Sequence, residues 1–237
     1  MDFTIIHIDE TDSTNRWLKE NGGGTMVVVT DYQTAGKGCG TNSWESERGK
    51  NLTFSMLIHP TGLLAKQQFH ITEVVSVAMC KTLQPYLQDR VEIKWPNDIY
   101  VGHRKICGIL IENRLQGQEI KDCIIGIGLN VNQTVFRSDA PNPVSLRQLT
   151  GQETDLHALL KAFLDRFNKE YDSKTTCFEY REMLYKKGKD SLYKDKTSCF
   201  GARLVDVLPD GRLLLVDQEG QERTYAFKEV QFIVDSL

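Results

Sequence analysis

The sequence predicts an α+β fold: a mixed or largely antiparallel sheet packed by helices, followed by a small all-β unit. Three observations lead there. Strand-like segments rich in β-branched or alternating apolar residues recur at residues 3–8, 25–30, 51–59 and 91–132. Two stretches, 64–87 and 156–184, carry apolar residues at helical spacing, as in Phe69, Val74, Val77, Ala78 and Leu83. After Gly188 the pattern changes to short strands separated by PDG and EGQ turns. A chain of 237 residues suits one main domain with a small appendage. The boundary falls near Asp190, dividing the chain into residues 1–190 and 191–237.

Taken in order, residues 3–8 read as a strand and 13–20 as a short helix, with Asp12 or Ser13 as cap and Gly22–Gly24 as stop. TMVVVT at 25–30 is a strand. Residues 31–50 are polar, glycine-rich and aperiodic, which predicts a long loop, and such loops inside compact domains tend to be functional or disordered. Residues 51–59 alternate like a strand, 64–87 form a long helix, 91–132 a strand-rich block, and 156–184 return to helix. Strands at 200–208, 212–217, 224–227 and 230–234 complete the all-β unit.

Composition narrows the function classes. Hydrophobic residues make up 40% and charged residues 26%, ordinary globular usage with enough apolar side chains for a core. The formal net charge is −3 and no Lys/Arg run forms a nucleic-acid stripe, so no nucleic-acid partner is expected. No apolar stretch reaches membrane-spanning length, and the N-terminus lacks the basic start of a signal peptide. The six cysteines form no CxxC pair and no zinc-finger spacing, so a reducing cytoplasm is the simplest location.

Four segments carry chemistry. In YQTAGKGCGTNSW (32–44), Gly36, Gly38 and Gly40 let backbone amides turn toward an anion, Lys37 adds charge, and Trp44 offers a stacking face; a plain flexible loop would look much the same. KWPND (94–98) reads as a turn entering a hairpin with a Gly102–His103 turn. Pairing across it sets Val101 opposite Arg104, Tyr100 opposite Lys105 and Asp98 opposite Cys107. Asp98 and Lys105 then share a sheet face beside Asn97, as either a surface salt bridge or a site. IIGIGLNVN (124–132) is an apolar strand whose Gly-x-Gly permits close approach, or simply a buried strand with a bend. DSTN (12–15) is a helix start, able either to cap itself or to present donors to a ligand.

Together and in this order these segments resemble the catalytic region of biotin–protein ligases. The resemblance rests on STN at 13–15, GKGCGTNSW at 36–44, the following WESERGKNLTFS, KWPND, KICGILIE at 105–112 and GIGLNVN at 126–132. It implies a class II synthetase-like catalytic domain with an SH3-like C-terminal barrel. It also implies a ligase that uses ATP, with Mg²⁺ as the accompanying metal, to join biotin to AMP and release pyrophosphate, then transfers biotin to a lysine of a biotin carboxyl carrier protein. By the same resemblance, Ser13, Thr14, Asn15, Gln33, Gly36, Lys37, Lys105 and Gly108 would bind biotin. Gly38, Gly40, Asn42, Trp44, Asn97, Lys105 and Asn130 would bind ATP, and Lys105, Lys37 and Asp98 would be catalytic. Mg²⁺ would be held mainly by phosphates rather than by a protein cage, and ordering of residues 31–50 over the adenylate would exclude water.

The sequence departs from the family pattern at three places. The first loop arginine is Lys37, the next basic position is Cys39, and the C-terminal GEV is KEV at 228–230. A lysine supplies charge without the bidentate fork of arginine. With no winged-helix segment ahead of Asp2, a monofunctional type without repressor activity is expected, and a homodimer is compatible with the sheet edges. Two rival readings follow from the same features: a lipoate or octanoate transferase, and a non-catalytic biotin or nucleotide sensor.

Overall fold

The structure is a computed structural model describing residues 1–38, 40, 42–137 and 142–233. Cys39 and the end of the predicted closing strand at residue 234 therefore lie outside the described residues. Seven strands form a mixed sheet in the order β1-β2-β3-β7-β6-β5-β4. They are β1 (Thr4–Thr11), β2 (Met26–Gln33), β3 (Leu52–Ile58), β4 (Val91–Lys94), β5 (Asp98–Val101), β6 (Arg104–Gln116) and β7 (Glu119–Leu129). Only β1 and β2 run parallel, joined by the crossover helix α1 (Thr14–Asn21); every other neighbouring pair is antiparallel. A second, five-stranded antiparallel sheet is built from β8 (Asp190–Lys194), β9 (Cys199–Val207), β10 (Leu213–Asp217), β11 (Glu222–Tyr225) and β12 (Gln231–Phe232). Its order is β11-β10-β9-β8-β12.

The two faces of the large sheet are covered differently. Phe54, Met56 and Ile58 of β3, with Ile125 and Ile127 of β7, join the main core beneath α2 (Phe69–Leu83) and α4 (Leu156–Tyr171). On the other face Leu18 of α1 packs on Val28, Leu57 and Ile124. Strand β3 is consequently buried at all seven positions, where alternation predicted one solvated face.

Two helical stretches divide. Residues 64–87 become α2 flanked by 3₁₀ turns at Ala65–Gln67 and Gln84–Tyr86, because Pro85 cannot continue the helical ladder. Residues 156–184 split into α4 and α5 (Thr176–Glu182), the break marked by Ser173 and Thr175, whose hydroxyls bond each other at 3.0 Å. A further helix, α3 (Leu146–Thr150), is closed by a capping box between Ser145 and Gln148. Strand β8 was absent from the sequence reading, since DSLYK is too short and mixed to stand out.

The second sheet is anchored on the turn between β4 and β5. Trp95 donates its indole N–H to Gly211 O at 2.9 Å and meets Phe227 edge-on at 6.1 Å, while Tyr180 Oη donates to Pro96 O at 2.7 Å. That anchoring brings the turn between β11 and β12 to the open face of the large sheet.

Candidate active site

The site follows from a row of missing side chains. On the face carrying α1, the register sets Gly108 beside Gly128 beside Thr53, and Leu110 beside Gly126 beside Ser55. Small residues on three neighbouring strands leave a trough in the sheet, and a cavity of about 720 Å³ opens over it.

Its polar end is the start of α1. Ser13 holds the N-cap position but makes no capping bond. The orphan amides go elsewhere: Asp12 Oδ1 accepts from Ser13 N at 2.6 Å, and Gln33 Oε1 accepts from Thr14 N at 2.8 Å and Thr14 Oγ1 at 3.1 Å. Of the two predicted caps, Ser13 makes no bond while Asp12 takes the Ser13 amide, and Gln33 of β2 takes that of Thr14. Behind this end runs a buried chain: Thr14 Oγ1 to Ser55 Oγ at 2.6 Å, Ser55 Oγ to Asn15 Oδ1 at 2.6 Å, and Asn15 Nδ2 to Glu112 Oε2 at 2.7 Å. Lys19 Nζ closes it on Glu112 Oε1 at 2.6 Å. Burial pushes the Glu112 carboxyl up, but the bonds from Lys19 and Asn15 outweigh it and hold its pKa below the ordinary value. Gly126 makes the chain feasible, since a β-carbon there would sit 3.0 Å from Asn15 Cγ.

The cationic end lies on the β5–β6 hairpin. Lys105 Nζ stands 2.7 Å from Asp98 Oδ1, the side chains 23% and 31% exposed. The predicted shared face holds, as do the predicted pairs Val101–Arg104 and Tyr100–Lys105, but the predicted Asp98–Cys107 pair does not. Ile99, not Asp98, pairs with Cys107, because a bulge at Ile106 inserts one extra residue. The bulge matters: Lys105 and Gly108 are an odd number of residues apart, and it turns both toward the cavity while Cys107 enters the core. Lys94 joins the same wall with its ammonium 5.1 Å from the Tyr100 ring centroid and 5.7 Å from that of Phe232. Burial lowers its pKa from the usual lysine value. Asn97 Nδ2 donates to Ile109 O at 3.0 Å and so ties the KWPND turn to β6.

Between the two ends lies the glycine-rich loop. It doubles back through a Lys37–Ser43 bridge, with Gly38 N donating to Asn42 O at 2.8 Å and Trp44 N to Gly36 O at 3.0 Å. The Gly38 amide is thus spent within the loop, where the sequence suggested it turned toward an anion. Trp44 lays its indole on the glycine floor, its Nε1 buried without a partner among the described residues. Lys105 Nζ lies 5.9 Å from the ring centroid.

The cavity brings together Ser13, Thr14, Asn15, Gln33, Lys37, Gly38, Asn42, Trp44, Asn97, Asp98, Lys105 and Gly108. Three expected residues stand off its wall. Gly36 lies behind it, against Gln33 Nε2 and Trp44 O, and Gly40 lies beneath Lys228. Asn130 is 3% exposed at the end of β7 and donates to Val144 O at 3.2 Å, because the chain turns into the core there. Sequence reasoning missed Lys94, Tyr100 and the wall from the second sheet, Phe227, Lys228, Gln231 and Phe232. The KEV departure was the one signal pointing to that turn.

Comparisons with known proteins agree. The biotin/lipoate A/B protein ligase family matches residues 6–130. The bifunctional ligase/repressor BirA of Bacillus spizizenii is 31% identical over 237 residues, covering 94% of this chain and 72% of that protein. The biotin–[acetyl-CoA-carboxylase] ligase of Paracoccus denitrificans is 30% identical over 165 residues, covering 66% of this chain and 68% of the other. Among solved structures, the biotin protein ligase from Aquifex aeolicus in complex with biotin and ATP superposes with a TM-score of 0.80 at 25% identity, covering 98% of this chain and 99% of that one.

Proposed function

The chain belongs to the biotin/lipoate A/B protein ligase family, and we propose that it adenylates biotin with ATP and transfers the biotinyl group to a lysine of a biotin carboxyl carrier protein. One observation carries this reading: a single trough joins an uncharged hydrogen-bonding end (Ser13, Thr14, Asn15, Gln33) to a cationic end (Lys105 on Asp98), with Trp44 between them. Biotin has the matching asymmetry, a neutral ureido ring at one end and a carboxylate at the other.

The chemistry follows from that arrangement. A carboxylate does not acylate an amine at neutral pH, because its leaving group is too poor. The biotin carboxylate oxygen attacks the α-phosphorus of ATP, and the bond to the β-phosphate breaks with its electron pair leaving on pyrophosphate. Two anions must meet, so Lys105 Nζ stabilises the charge building between them. Gly108 leaves room for Trp44 beside Lys105, since a β-carbon there would lie 2.9 Å from Trp44 Cζ3. Trp44 covers the adenine, and Asn42, Asn97 and the Gly38 backbone stand on the nucleotide side. Gly36, Gly40 and Asn130 act from behind the wall. In the second step the carrier's lysine amine attacks the acyl carbon and AMP leaves. Asp98, the one carboxylate on the wall among the described residues, is placed to accept a hydrogen bond from the incoming amine. One carboxylate beside an asparagine fits a Mg²⁺ carried mainly by phosphates and water, and the ion supplies charge neutralisation of the triphosphate.

Residues 1–190 form the biotin- and ATP-binding domain, of class II synthetase-like type, and residues 191–237 an SH3-like unit that completes the cavity wall; the two sheets support this division. The reduced, buried Cys80, Cys107 and Cys123 suit a cytoplasmic location, and among the described residues no helix is long and apolar enough to cross a membrane. The β1 edge of the sheet is compatible with a homodimer, and a net charge of −3 does not call for nucleic acid. Biotin-dependent exchange between ATP and pyrophosphate tests the reading, with lipoate as the parallel acid. Exchange with biotin alone is expected. Exchange with lipoate alone would move the chain to the lipoate branch of the family, and biotin binding without exchange would make it a sensor.

A further inference from the structure

Lys228 is one of three non-glycine residues among those described with positive φ, at 71°. That left-handed conformation suits glycine, and a lysine persists there only where its surroundings hold it. Here they do: Glu229 Oε2 accepts from Ala226 N at 2.8 Å, and Glu229 N donates to Ala226 O at 3.1 Å. The conformation sends the side chain out of the β11–β12 turn and onto the glycine-rich loop. Lys228 Nζ lies 2.9 Å from where a β-carbon on Gly40 would stand, and Lys228 itself lines the cavity.

Two of the other three cations of the cavity are engaged. Lys105 is paired with Asp98 at 2.7 Å, and the half-buried Lys94 lies against two aromatic rings. Lys37 makes no ion pair among the described residues and acts on Glu112 only as a weak, distant charge. Lys228 has no carboxylate within ion-pair distance among the described residues; its nearest ring is Phe227, at 5.8 Å from Nζ. We propose that Lys228 is a polyphosphate-binding residue, a cation delivered from the C-terminal unit onto the glycine-rich loop, where Lys37 stands at the family's usual arginine position and Cys39 at its next basic one. This rests on the adenylation reading: Lys228 would meet the β- and γ-phosphates of ATP and the pyrophosphate that leaves.

The test uses the full chain with Lys228→Gly and Lys228→Gln, titrated with ATP, tripolyphosphate and biotin by calorimetry. Glycine suits the backbone at this position, so Lys228→Gly is expected to keep or raise the melting temperature. Its dissociation constants for ATP and tripolyphosphate should rise roughly tenfold, as for loss of a charge-assisted contact. Biotin affinity should stay within about twofold, and the difference in polyphosphate affinity should shrink as salt is raised. Lys228→Gln should show the same selective loss. Unchanged tripolyphosphate affinity in both variants would overturn the assignment. A parallel loss of biotin and ATP affinity with a lower melting temperature would do so too, by showing a structural role. If the native chain failed to exchange pyrophosphate with biotin, the ligase reading would fall, while Lys228 would still be judged on tripolyphosphate binding.

Discussion

Gly128→Ala tests whether the bare sheet floor exists for Trp44. A methyl at that position would lie 2.6 Å from Trp44 Cζ2, where ordinary contact begins at 3.4 Å. The indole is rigid and Gly108 lies under the same ring, so the clash is not relieved by a small rotation. Two outcomes are physically open. If the indole stays, overpacking costs about 1–3 kcal/mol. For a chain of 237 residues that corresponds to a melting temperature lower by roughly 2–12 °C. If the indole swings away on its loop, the fold is spared and the loss passes to the nucleotide, with KM for ATP raised roughly tenfold or more and KM for biotin little changed. A double-mutant cycle with Trp44→Ala separates the clash from any general effect of the methyl. Once the ring is gone, Gly128→Ala should cost nothing further, giving a coupling of about 1 kcal/mol or more. Additive effects of the two changes, with KM for ATP unaltered, would refute the stacking argument.

Two other predictions follow from the site's charges. Lys105→Ala removes the cation proposed for the carboxylate–phosphate junction and leaves Asp98 without its 2.7 Å partner. Single-turnover adenylate formation should slow about 10²–10³-fold while the circular dichroism spectrum stays native; an unchanged rate would take Lys105 out of the mechanism. Glu112 has a folded pKa below the ordinary 4.5. Its bond to Asn15 therefore contributes fully above that value and is lost as pH falls through the lower folded value. Biotin affinity should weaken on the acid side, below about pH 4.5, and Glu112→Gln should flatten that dependence; a wild-type profile in the variant would contradict the link.

Much of this protein was legible without coordinates, because the signals were local. Helix α1 with its glycine stop, strand β2 and strands β9 and β10 of the second unit follow from residue pattern and turn chemistry. The hairpin turn at Gly102–His103 put Asp98 and Lys105 on one face, and the Gly-x-Gly at 126–128 announced a close approach. The motif set led to the family before any fold was known.

Tertiary structure decided the rest. The bulge at Ile106 exchanges Cys107 for Gly108 on the cavity face, and a bulge is set by the neighbouring strand as much as by its own residues. Asn130 carried the same motif signal as Asn97, yet the chain's turn into the core took it off the wall. Strand β3 looked one-sided because its polar Thr53 and Ser55 alternate with apolar residues, and only the packing of α1 and the trough shows them buried. In the sequence Lys228 stands out only as the KEV departure from the family pattern. Its place over Gly40 depends on docking two sheets whose residues lie far apart in the chain, and no local pattern encodes a distance of that kind.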